Sequence, residues 1–241
     1  MIATKDLLGI GLYSTSEAAL YARVRPQLVA NWMHGTASNE AVIEPELGVD
    51  EKKIITFLDF IQTLAIRRLR NETRLSLQKI RQGYTRAREE YGVKFPFAAK
   101  TARIGLFGPP NILKKQEVFV CLNKKDDEEV GKYFQLTGKK HGNQLIGEVV
   151  MTYARFIDFS PDTGLASRFV SYQSDDGRVL MDPEIHFGEP FIESCGYTAY
   201  TLFNAYQTEL SVERAAKIYD VEPKEIRLAM DYYDYLNPVA A

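Results

Sequence analysis

The sequence predicts a mainly α-helical protein with small β-hairpins, which places it in the α+β class. Apolar residues recur at helical spacing near both ends of the chain, whereas the middle carries short β-rich runs between Gly and Pro. Two segments also have the outline of a helix-turn-helix. These patterns predict an N-terminal winged helix-turn-helix domain over residues 1–97, a β-rich connecting region over 98–176, and a C-terminal three-helix, helix-turn-helix-like module over 177–241.

The first helix-turn-helix is predicted in a stretch near the start of the chain that reads YSTSEAALYARVRPQLVANWMHG. Ser14 and Glu17 have the spacing of a capping box, in which each side chain accepts a hydrogen bond from the other residue's backbone N–H. A short helix should follow to about Ala22. After a turn, Pro26 favours the start of a second helix, because its missing N–H would be unpaired there, and Gly35 can end that helix.

A second helix-turn-helix is predicted near the end of the chain, in the stretch LSVERAAKIYDVEPKEIRLAM. It aligns with the first at a constant offset of 197 residues, and the matched residues are Ser14 with Ser211, Ala18 and Ala19 with Ala215 and Ala216, Val24 with Val221, Pro26 with Pro223, Val29 with Ile226, and Met33 with Met230. Small alanines allow the two helices of a unit to approach closely. Convergence on the same packing explains the match as well as common ancestry does.

Between the first unit and the middle of the chain, the sequence predicts a short extended wing and two long helices. Residues 37–47 suit the wing, and residues 52–72 and 75–92 place apolar side chains at helical spacing. The span from residue 66 to residue 88 contains eight basic residues and one acidic residue. This basic run is either a second DNA-binding surface or a pair of solvated helix faces.

The middle of the chain is predicted to form short β elements. In chain order they are a hairpin that turns at Gly108–Asn111, a strand over Glu117–Leu122, a solvated loop over Lys124–Val130, a short helix over 143–154, and a hairpin that turns at Pro161–Gly164. The composition changes at Ser174–Arg178, which predicts a linker into the C-terminal module.

The charge is divided unevenly along the chain. The net charge is −2, but residues 1–115 carry 18 Lys and Arg against 11 Asp and Glu, whereas residues 116–241 carry 12 against 21. The balances are therefore +7 and −9. A basic half can attract phosphates, and an acidic half is repelled by the same surface, so the two halves should have different partners unless the division arose by chance.

The composition excludes several classes of protein. The chain is 45% hydrophobic and 26% charged, without a long apolar run or a signal-like start, which predicts a cytoplasmic protein with no membrane partner. Cys121 and Cys195 are its only thiols and suit a reducing compartment. The three His residues are far apart, and no Gly-rich phosphate loop precedes a helix. We expect no catalytic residues, metal or cofactor, although residues distant in sequence can assemble an enzyme site.

The first helix-turn-helix offers candidate DNA-binding residues. In such a unit the second helix enters the major groove, and its first residues reach the base edges. Gln27 and Asn31 lie one turn apart on that helix, and their amides can pair with adenine. Arg23 and Arg25, in the turn, suit phosphates or guanine.

Further residues of the N-terminal half have both a structural and a DNA-binding interpretation. Ser14 is expected first as a helix cap, and Ser14 and Thr15 together could also hold a phosphate at the start of the first helix. Arg81, in the basic run, is another candidate for DNA binding. Three apolar residues of the second helix are expected in the core: Leu28, Val29 and Trp32. At least two of four residues in the final helix should also be buried within the chain: Tyr232, Tyr233, Tyr235 and Leu236.

The C-terminal stretch from residue 181 to residue 236 resembles a small helical module of bacterial toxin–antitoxin systems. That module has a D-P-x-I-x-x-G-x-P-x-I opening and later an S-x-E-x-x-A-x-x-Y-x-V-x-x-x-x-I-x-x-A pattern. The matching residues are Asp182, Pro183, Ile185, Gly188, Pro190, Ile192, Ser211, Glu213, Ala216, Tyr219, Val221, Ile226 and Ala229. The module's Gly-Thr step is replaced here by Ser194 and Cys195.

The N-terminal half resembles the DNA-binding part of one branch of VapB-type antitoxins, a winged helix-turn-helix of MerR-like character. The matching stretches are YSTSEAALYARV, WMHG, FLDFIQTLAIRRLR, LSLQKIR and, in the middle of the chain, GNQLIGEVVMTYARFIDFSPDTGLASR. Arg81 stands where these relatives keep an Arg beside an apolar residue. Asn31 stands where they carry Arg before the Trp, which leaves the individual DNA contacts open.

The resemblance implies a DNA-binding antitoxin that acts as a homodimer and represses its own operon. The N-terminal half would bind operator DNA, and the C-terminal half would bind and neutralise a cognate toxin, a PIN-domain ribonuclease. The alternative is a free-standing helix-turn-helix transcriptional regulator that has no toxin partner. A third hypothesis is an interaction protein that does not bind DNA, or an enzyme.

Overall fold

The computed structural model of the chain describes residues 9–48, 54–73, 75–100, 105–107, 117–122, 132–135, 144–145 and 154–237. Within these residues the fold is mixed α+β and mainly helical, with seven α-helices and three antiparallel sheets. The predicted fold class is confirmed, whereas the predicted domain boundaries stay predictions. None of the helices in the described ranges is long and apolar enough to cross a membrane.

The N-terminal helix-turn-helix consists of α1 (Thr15–Tyr21) and α2 (Pro26–His34). The predicted capping box is present: the Glu17 backbone N–H donates to Ser14 Oγ at 3.1 Å, and the Ser14 N–H donates to Glu17 Oε2 at 2.7 Å. Pro26 is the first residue of α2, and Gly35 follows its end with a φ of 72°. The local sequence signals therefore place both helices correctly.

A two-stranded sheet precedes the third helix. Strand β1 (Leu12–Ser14) pairs antiparallel with β2 (Ile54–Thr56), and α3 (Phe57–Thr73) begins directly afterwards. The prediction of a helix from residue 52 is therefore wrong for β2, because this β-branched segment pairs with β1. Thr56 closes the strand and caps the helix, since its Oγ1 accepts a hydrogen bond from the Asp59 N–H at 3.2 Å.

The predicted extended wing over residues 37–47 is wrong, because this segment is a loop that contains no strand. Thr36 and Asn39 form a single bridge. The backbone N–H groups of Val42 and Ile43 both donate to the Trp32 carbonyl, at 2.7 and 3.1 Å, so this part of the backbone is bonded to the end of α2. The β1–β2 pair is a sheet that contacts α1.

Helix α4 (Leu77–Glu89) confirms the second long helix, and Ser76 caps it by accepting from the Lys79 N–H. A four-stranded sheet follows in chain order, formed by β3 (Gly105–Phe107), β4 (Glu117–Leu122), β5 (Lys132–Gln135) and β6 (Gln144–Leu145). The predicted strand at β4 is confirmed. The helix predicted over 143–154 is wrong at β6, because a short apolar run does not distinguish a helix from a strand.

Several predictions for the middle of the chain concern residues outside the described ranges. The turn at Gly108–Asn111, the loop at Lys124–Val130 and residues 146–153 of the predicted helix all lie outside the described residues.

The second four-stranded sheet has the order β10-β9-β8-β7 and is formed by β7 (Ile157–Phe159), β8 (Ala166–Ser174), β9 (Gly177–Met181) and β10 (Phe191–Ile192). The predicted hairpin with its turn at Pro161–Gly164 is confirmed as β7–β8. The linker predicted at Ser174–Arg178 is wrong, because Ser174 pairs with Gly177 and these residues close the β8–β9 hairpin. Tight turns and linkers share the same Asp, Ser and Gly composition.

The C-terminal module contains α5 (Ala199–Glu209), α6 (Val212–Tyr219) and α7 (Pro223–Leu236), as predicted. Ser211 caps α6 by accepting from the Arg214 N–H. Tyr232 and Leu236 are buried in the core of this module, which confirms the expectation for the last helix.

The N-terminal unit and the C-terminal module are in direct contact. Leu20 and Tyr21 of α1 pack against the C-terminal core. The hydroxyl of buried Tyr13 donates to the Gly188 carbonyl at 2.8 Å. The Arg23 guanidinium lies 4.1 Å from the centre of the Tyr235 ring. The two helix-turn-helix units are therefore packed together and share buried contacts.

Replacing Gly188 by Ala should destabilise the protein by about 3 kcal/mol or more, as judged by urea unfolding. Gly188 has a φ of 90°, and a Cβ there would lie 2.3 Å from Tyr13 Oη. Gly48→Ala is the matched control, because Gly48 has a φ of 84° but open space around it. It should cost only the left-handed backbone penalty of about 1–2 kcal/mol. Equal losses in the two variants would contradict the Tyr13 contact.

Replacing Asp59 by Asn should remove a pH-dependent part of the stability. Burial raises the pKa of Asp59 from 3.8 to about 6, against the lowering effect of the Glu46 N–H, which donates to both carboxylate oxygens. The folded protein therefore binds the Asp59 proton more tightly than the unfolded chain does. The stability that this proton contributes is fully present below pH 4 and is lost as the pH rises through 6. Relative to the wild type, Asp59→Asn should gain up to about 3 kcal/mol between pH 4 and pH 7. Parallel stability curves, measured by denaturant unfolding at each pH, would contradict this assignment.

Candidate nucleic-acid interface

Helix α2 presents a polar face to solvent and an apolar face to the core. Val29, Trp32 and Met33 are buried, which confirms the expectation for the first two. Arg25 and Gln27 are exposed, at the N-terminal end of the helix. The buried side chains hold α2 against the core, and the exposed residues at its N-terminal end are accessible to a ligand.

The two candidate adenine-reading residues lie together on α2. The Gln27 Nε2 amide donates to Asn31 Oδ1 at 2.8 Å, as the i, i+4 spacing on a helix allows. Gln27 is exposed, and Asn31 is partly buried. The bond orients both amides and leaves each with further donors and acceptors for a base edge.

The start of α1 is already occupied by a carboxylate. Ser14 Oγ and the Glu17 side chain satisfy backbone N–H groups at this end, and the negative charge of Glu17 lies beside the Ser14 N–H. The cap role expected of Ser14 is therefore confirmed. A phosphate at Ser14 and Thr15 would have to displace Glu17, and this contact stays a prediction.

Arg23 and Arg25 point to different surroundings, although both belong to the turn. Arg23 has a left-handed φ of 51°, and its guanidinium stacks on the Tyr235 ring of α7. Its Nε atom is buried and has no hydrogen-bond partner among the described residues. Arg25 precedes α2 and is exposed. Arg25 is thus open to a ligand, whereas Arg23 is largely engaged by the C-terminal module.

Arg81 lies against the loop that follows α2. Its Nε donates to the Ala41 carbonyl at 2.7 Å, and its Nη2 donates to the Glu40 carbonyl. Only 24% of its side chain is exposed. These contacts give Arg81 a structural role, and its predicted DNA contact stays a prediction.

A basic concave surface of about 660 Å³ lies beside α2, between α1, the end of α3 and the start of α4. Four arginines line it: Arg23, Arg25, Arg67 and Arg70. None of its described lining residues is acidic. Leu28 is 40% exposed at its edge, so the expectation that Leu28 lies in the core is wrong. We refer to this surface as the arginine pocket.

The sequence indicated the basic run but not its position relative to α2. Arg67 and Arg70 come from α3, roughly 40 residues after the turn that carries Arg23 and Arg25. Arg70 also donates from Nη1 to the Leu75 carbonyl at 2.6 Å, which holds it at the junction of α3 and α4. The common hydrophobic core of α1, α2 and α3 brings the four side chains together.

The second helix-turn-helix differs from the first at the face that would read DNA. At the 197-residue offset, Leu228 corresponds to Asn31, and Leu228 is fully buried. Its neighbours Ile226 and Ala229 are buried as well. At the position of Asn31, helix α7 therefore buries an apolar residue in its own module and offers no polar group to a base.

The described residues contain no group of three or more His, Cys, Asp or Glu residues arranged to hold a metal ion. Cys195 is partly buried, and burial raises the pKa of its thiol. A raised pKa keeps the thiol protonated and lowers its reactivity.

Comparisons of sequence and of structure relate the chain to known proteins. A family described as a protein of unknown function (DUF433) matches residues 179–233, which include the end of β9, β10, α5, α6 and most of α7. VapB45 of Mycobacterium tuberculosis, assigned as an antitoxin, is 27% identical over 92 residues, a stretch that spans 38% of each chain. The first match covers the C-terminal part of the chain alone, and the second spans little more than a third of either protein.

The crystal structure of Rv2018 from Mycobacterium tuberculosis is similar in fold. It superimposes with a TM-score of 0.60 at 18% identity and covers 93% of this chain and 99% of its own. The arrangement of elements along nearly the whole chain therefore occurs in an experimentally determined structure. The MerR-like character of the N-terminal half stays a prediction.

Replacing Arg81 by Ala should lower the free energy of unfolding by about 2–3 kcal/mol, because two carbonyls lose a charged donor. Arg25→Ala is the control, because Arg25 is exposed and makes no cap, and it should change stability by no more than about 0.5 kcal/mol. Thermal and urea unfolding of the two variants measure the difference. A fully stable Arg81→Ala protein would argue that this arginine is available for DNA.

Proposed function

We propose that the protein is the DNA-binding antitoxin of a type II toxin–antitoxin pair. It binds the operator of its own operon through α2 and represses transcription. Its C-terminal module binds and neutralises a cognate toxin, which we propose to be a PIN-domain ribonuclease. The exposed N-terminal turns of α2, beside a pocket of four arginines, are the observation that carries the DNA-binding part.

The proposed DNA contacts follow from the geometry of α2. The helix enters the major groove with its first turns, and the paired amides of Gln27 and Asn31 bind an adenine edge. Arg25 and the rim of the arginine pocket lie beside the helix, where the phosphate backbone passes in such a complex. Phosphate contacts then supply affinity, and the two amides supply sequence preference.

The charge distribution supports a division of roles between the two halves. The N-terminal 115 residues carry a balance of +7 and suit DNA, whereas the remaining residues carry −9 and suit a protein. The likeness to VapB45 supports a toxin as that protein. We assign no catalytic role to the chain, and we propose that it acts as a homodimer on a two-fold operator.

Replacing Arg25 or Gln27 by Ala should weaken operator binding. Arg25→Ala removes one phosphate contact, so affinity should fall about tenfold and the slope of log K against log salt by about one. Gln27→Ala should cost about 1–3 kcal/mol on the operator and little on unrelated DNA. A gel shift with the DNA upstream of the gene, repeated at several salt concentrations, measures both effects.

Lys224→Ala is the matched control, because Lys224 occupies the position of Gln27 in the second helix-turn-helix. It should bind the operator like the wild type. If Lys224→Ala and Gln27→Ala weakened operator binding equally, the assignment of DNA binding to the first helix-turn-helix alone would be wrong. A wild-type chain that shifts no DNA at low salt would overturn the DNA-binding proposal, and a chain that shifts DNA but has no toxin encoded beside it would be a free-standing regulator.

A further inference from the structure

Exposed apolar side chains are concentrated in the C-terminal module. Among the described residues, six large apolar side chains are exposed, and all except Leu28 lie between residues 187 and 218. They are Phe187 (65% exposed), Tyr197 (39%), Tyr200 (61%), Leu210 (78%) and Ile218 (61%). Exposed apolar groups that lie close together indicate an interaction surface, whereas isolated ones do not.

Four of these side chains belong to one end of the module. The Tyr197 ring packs edge-on against Tyr219, with 5.5 Å between ring centres, and Ile218 precedes Tyr219 in α6. Tyr200 follows Tyr197 by almost one helical turn at the start of α5. Phe187 adjoins His186, whose Nε2 lies 2.7 Å from the carbonyl oxygen of Gly196, next to Tyr197. We call Phe187, Tyr197, Tyr200 and Ile218 the aromatic patch.

Phe187 is held in its exposed position by an unfavourable backbone. His186 and Phe187 have φ values of 48° and 55°, in the left-handed region that bulky residues rarely adopt. The surrounding contacts enforce this conformation, because His186 is bonded to Gly196 on one side and Gly188 is bonded to Tyr13 on the other. Strained residues persist mainly at functional sites, where the strain holds a side chain in place.

Two acidic residues flank Phe187. Glu184 and Glu189 lie within three residues of it in the sequence, and no Lys or Arg occurs between Val179 and Thr208. Glu189 lies near the patch residue Tyr200: burial, and after it the nearby groups Glu189 and Tyr200, raise the pKa of Tyr233 to about 12. Phosphates would be repelled here. Aromatic rings in an acidic surrounding instead complement a protein surface in which Arg and Lys border an apolar depression.

We propose that the aromatic patch is the surface that docks the toxin, and that it binds a basic surface of that protein. Phe187 and Tyr200 insert as anchors, and Glu189 and Glu184 face basic side chains at the rim. This inference rests on the proposed function and adds the site of contact and the charge of the partner. The same loop, through Gly188, is bonded to Tyr13 of the DNA-binding half.

Titration of the full-length chain with the protein encoded by the adjacent reading frame tests the proposal. Phe187→Asn and Tyr200→Ala should each weaken binding at least tenfold. Asn accepts the left-handed backbone, so Phe187→Asn should fold as stably as the wild type. Leu210→Asn is the matched control, because Leu210 has a φ of 51° and is also exposed, but it lies at the opposite end of α5. It should change the affinity less than twofold.

The affinity of the wild-type chain should also fall between 50 and 300 mM salt, and Glu189→Gln should reduce that fall. If the wild type binds the neighbouring protein and Phe187→Asn and Tyr200→Ala bind it equally well, the aromatic patch is not the docking surface. The proposal of an antitoxin would then still stand. A wild-type chain that does not bind the neighbouring protein would overturn the proposed toxin partner and this inference with it. A homodimer that Phe187→Asn converts to monomer would show that the patch faces a second copy, which also overturns the proposal.

Discussion

The packing of α7 against the turn of the first helix-turn-helix is the contact on which the rest of the molecule depends. The turn holds Arg23 in a left-handed conformation, and the Tyr235 ring covers its guanidinium at 4.1 Å. Buried Leu236 lies at the end of the same helix and lines the arginine pocket. A cation–π contact of this kind contributes about 0.5–2 kcal/mol, enough to favour one arrangement of the turn. The geometry of the candidate DNA-binding surface is therefore set partly by the C-terminal module.

A second contact joins the two halves through β1. Tyr13 belongs to β1, and its side chain reaches the loop that contains Gly188. A side chain larger than that of glycine at position 188 would overlap the Tyr13 hydroxyl. The patch residue Phe187 directly precedes that glycine. The protein-binding surface and the DNA-binding unit are thus connected by two short routes, Gly188–Tyr13 and Tyr235–Arg23, and both pass through buried or stacked aromatic rings. Movement of one half relative to the other would break both contacts, so the chain behaves as one packed body in this region.

The sequence predicts those features that depend on neighbouring residues. The capping box at Ser14 and Glu17, the helix start at Pro26 and the exposed face of Gln27 all follow from spacings of a few residues. Three features could not be predicted in this way, because their partners are distant. β2 is a strand only because β1 lies some 40 residues earlier, and Arg81 bonds to carbonyls at residues 40 and 41. The arginine pocket likewise requires α3 to pack beside the turn.

The two helix-turn-helix units show why shape alone does not assign function. Both have a Ser cap, small alanines at the helix crossing and a Pro at the first position of the second helix. They differ in what covers the second helix: Asn31 of α2 remains accessible beside exposed Gln27, whereas Leu228 of α7 is buried. Burying that face stabilises the C-terminal module and provides the helix that holds Arg23. The same helix-turn-helix scaffold is therefore a candidate DNA-binding unit in the N-terminal half, and in the C-terminal half it supports that unit.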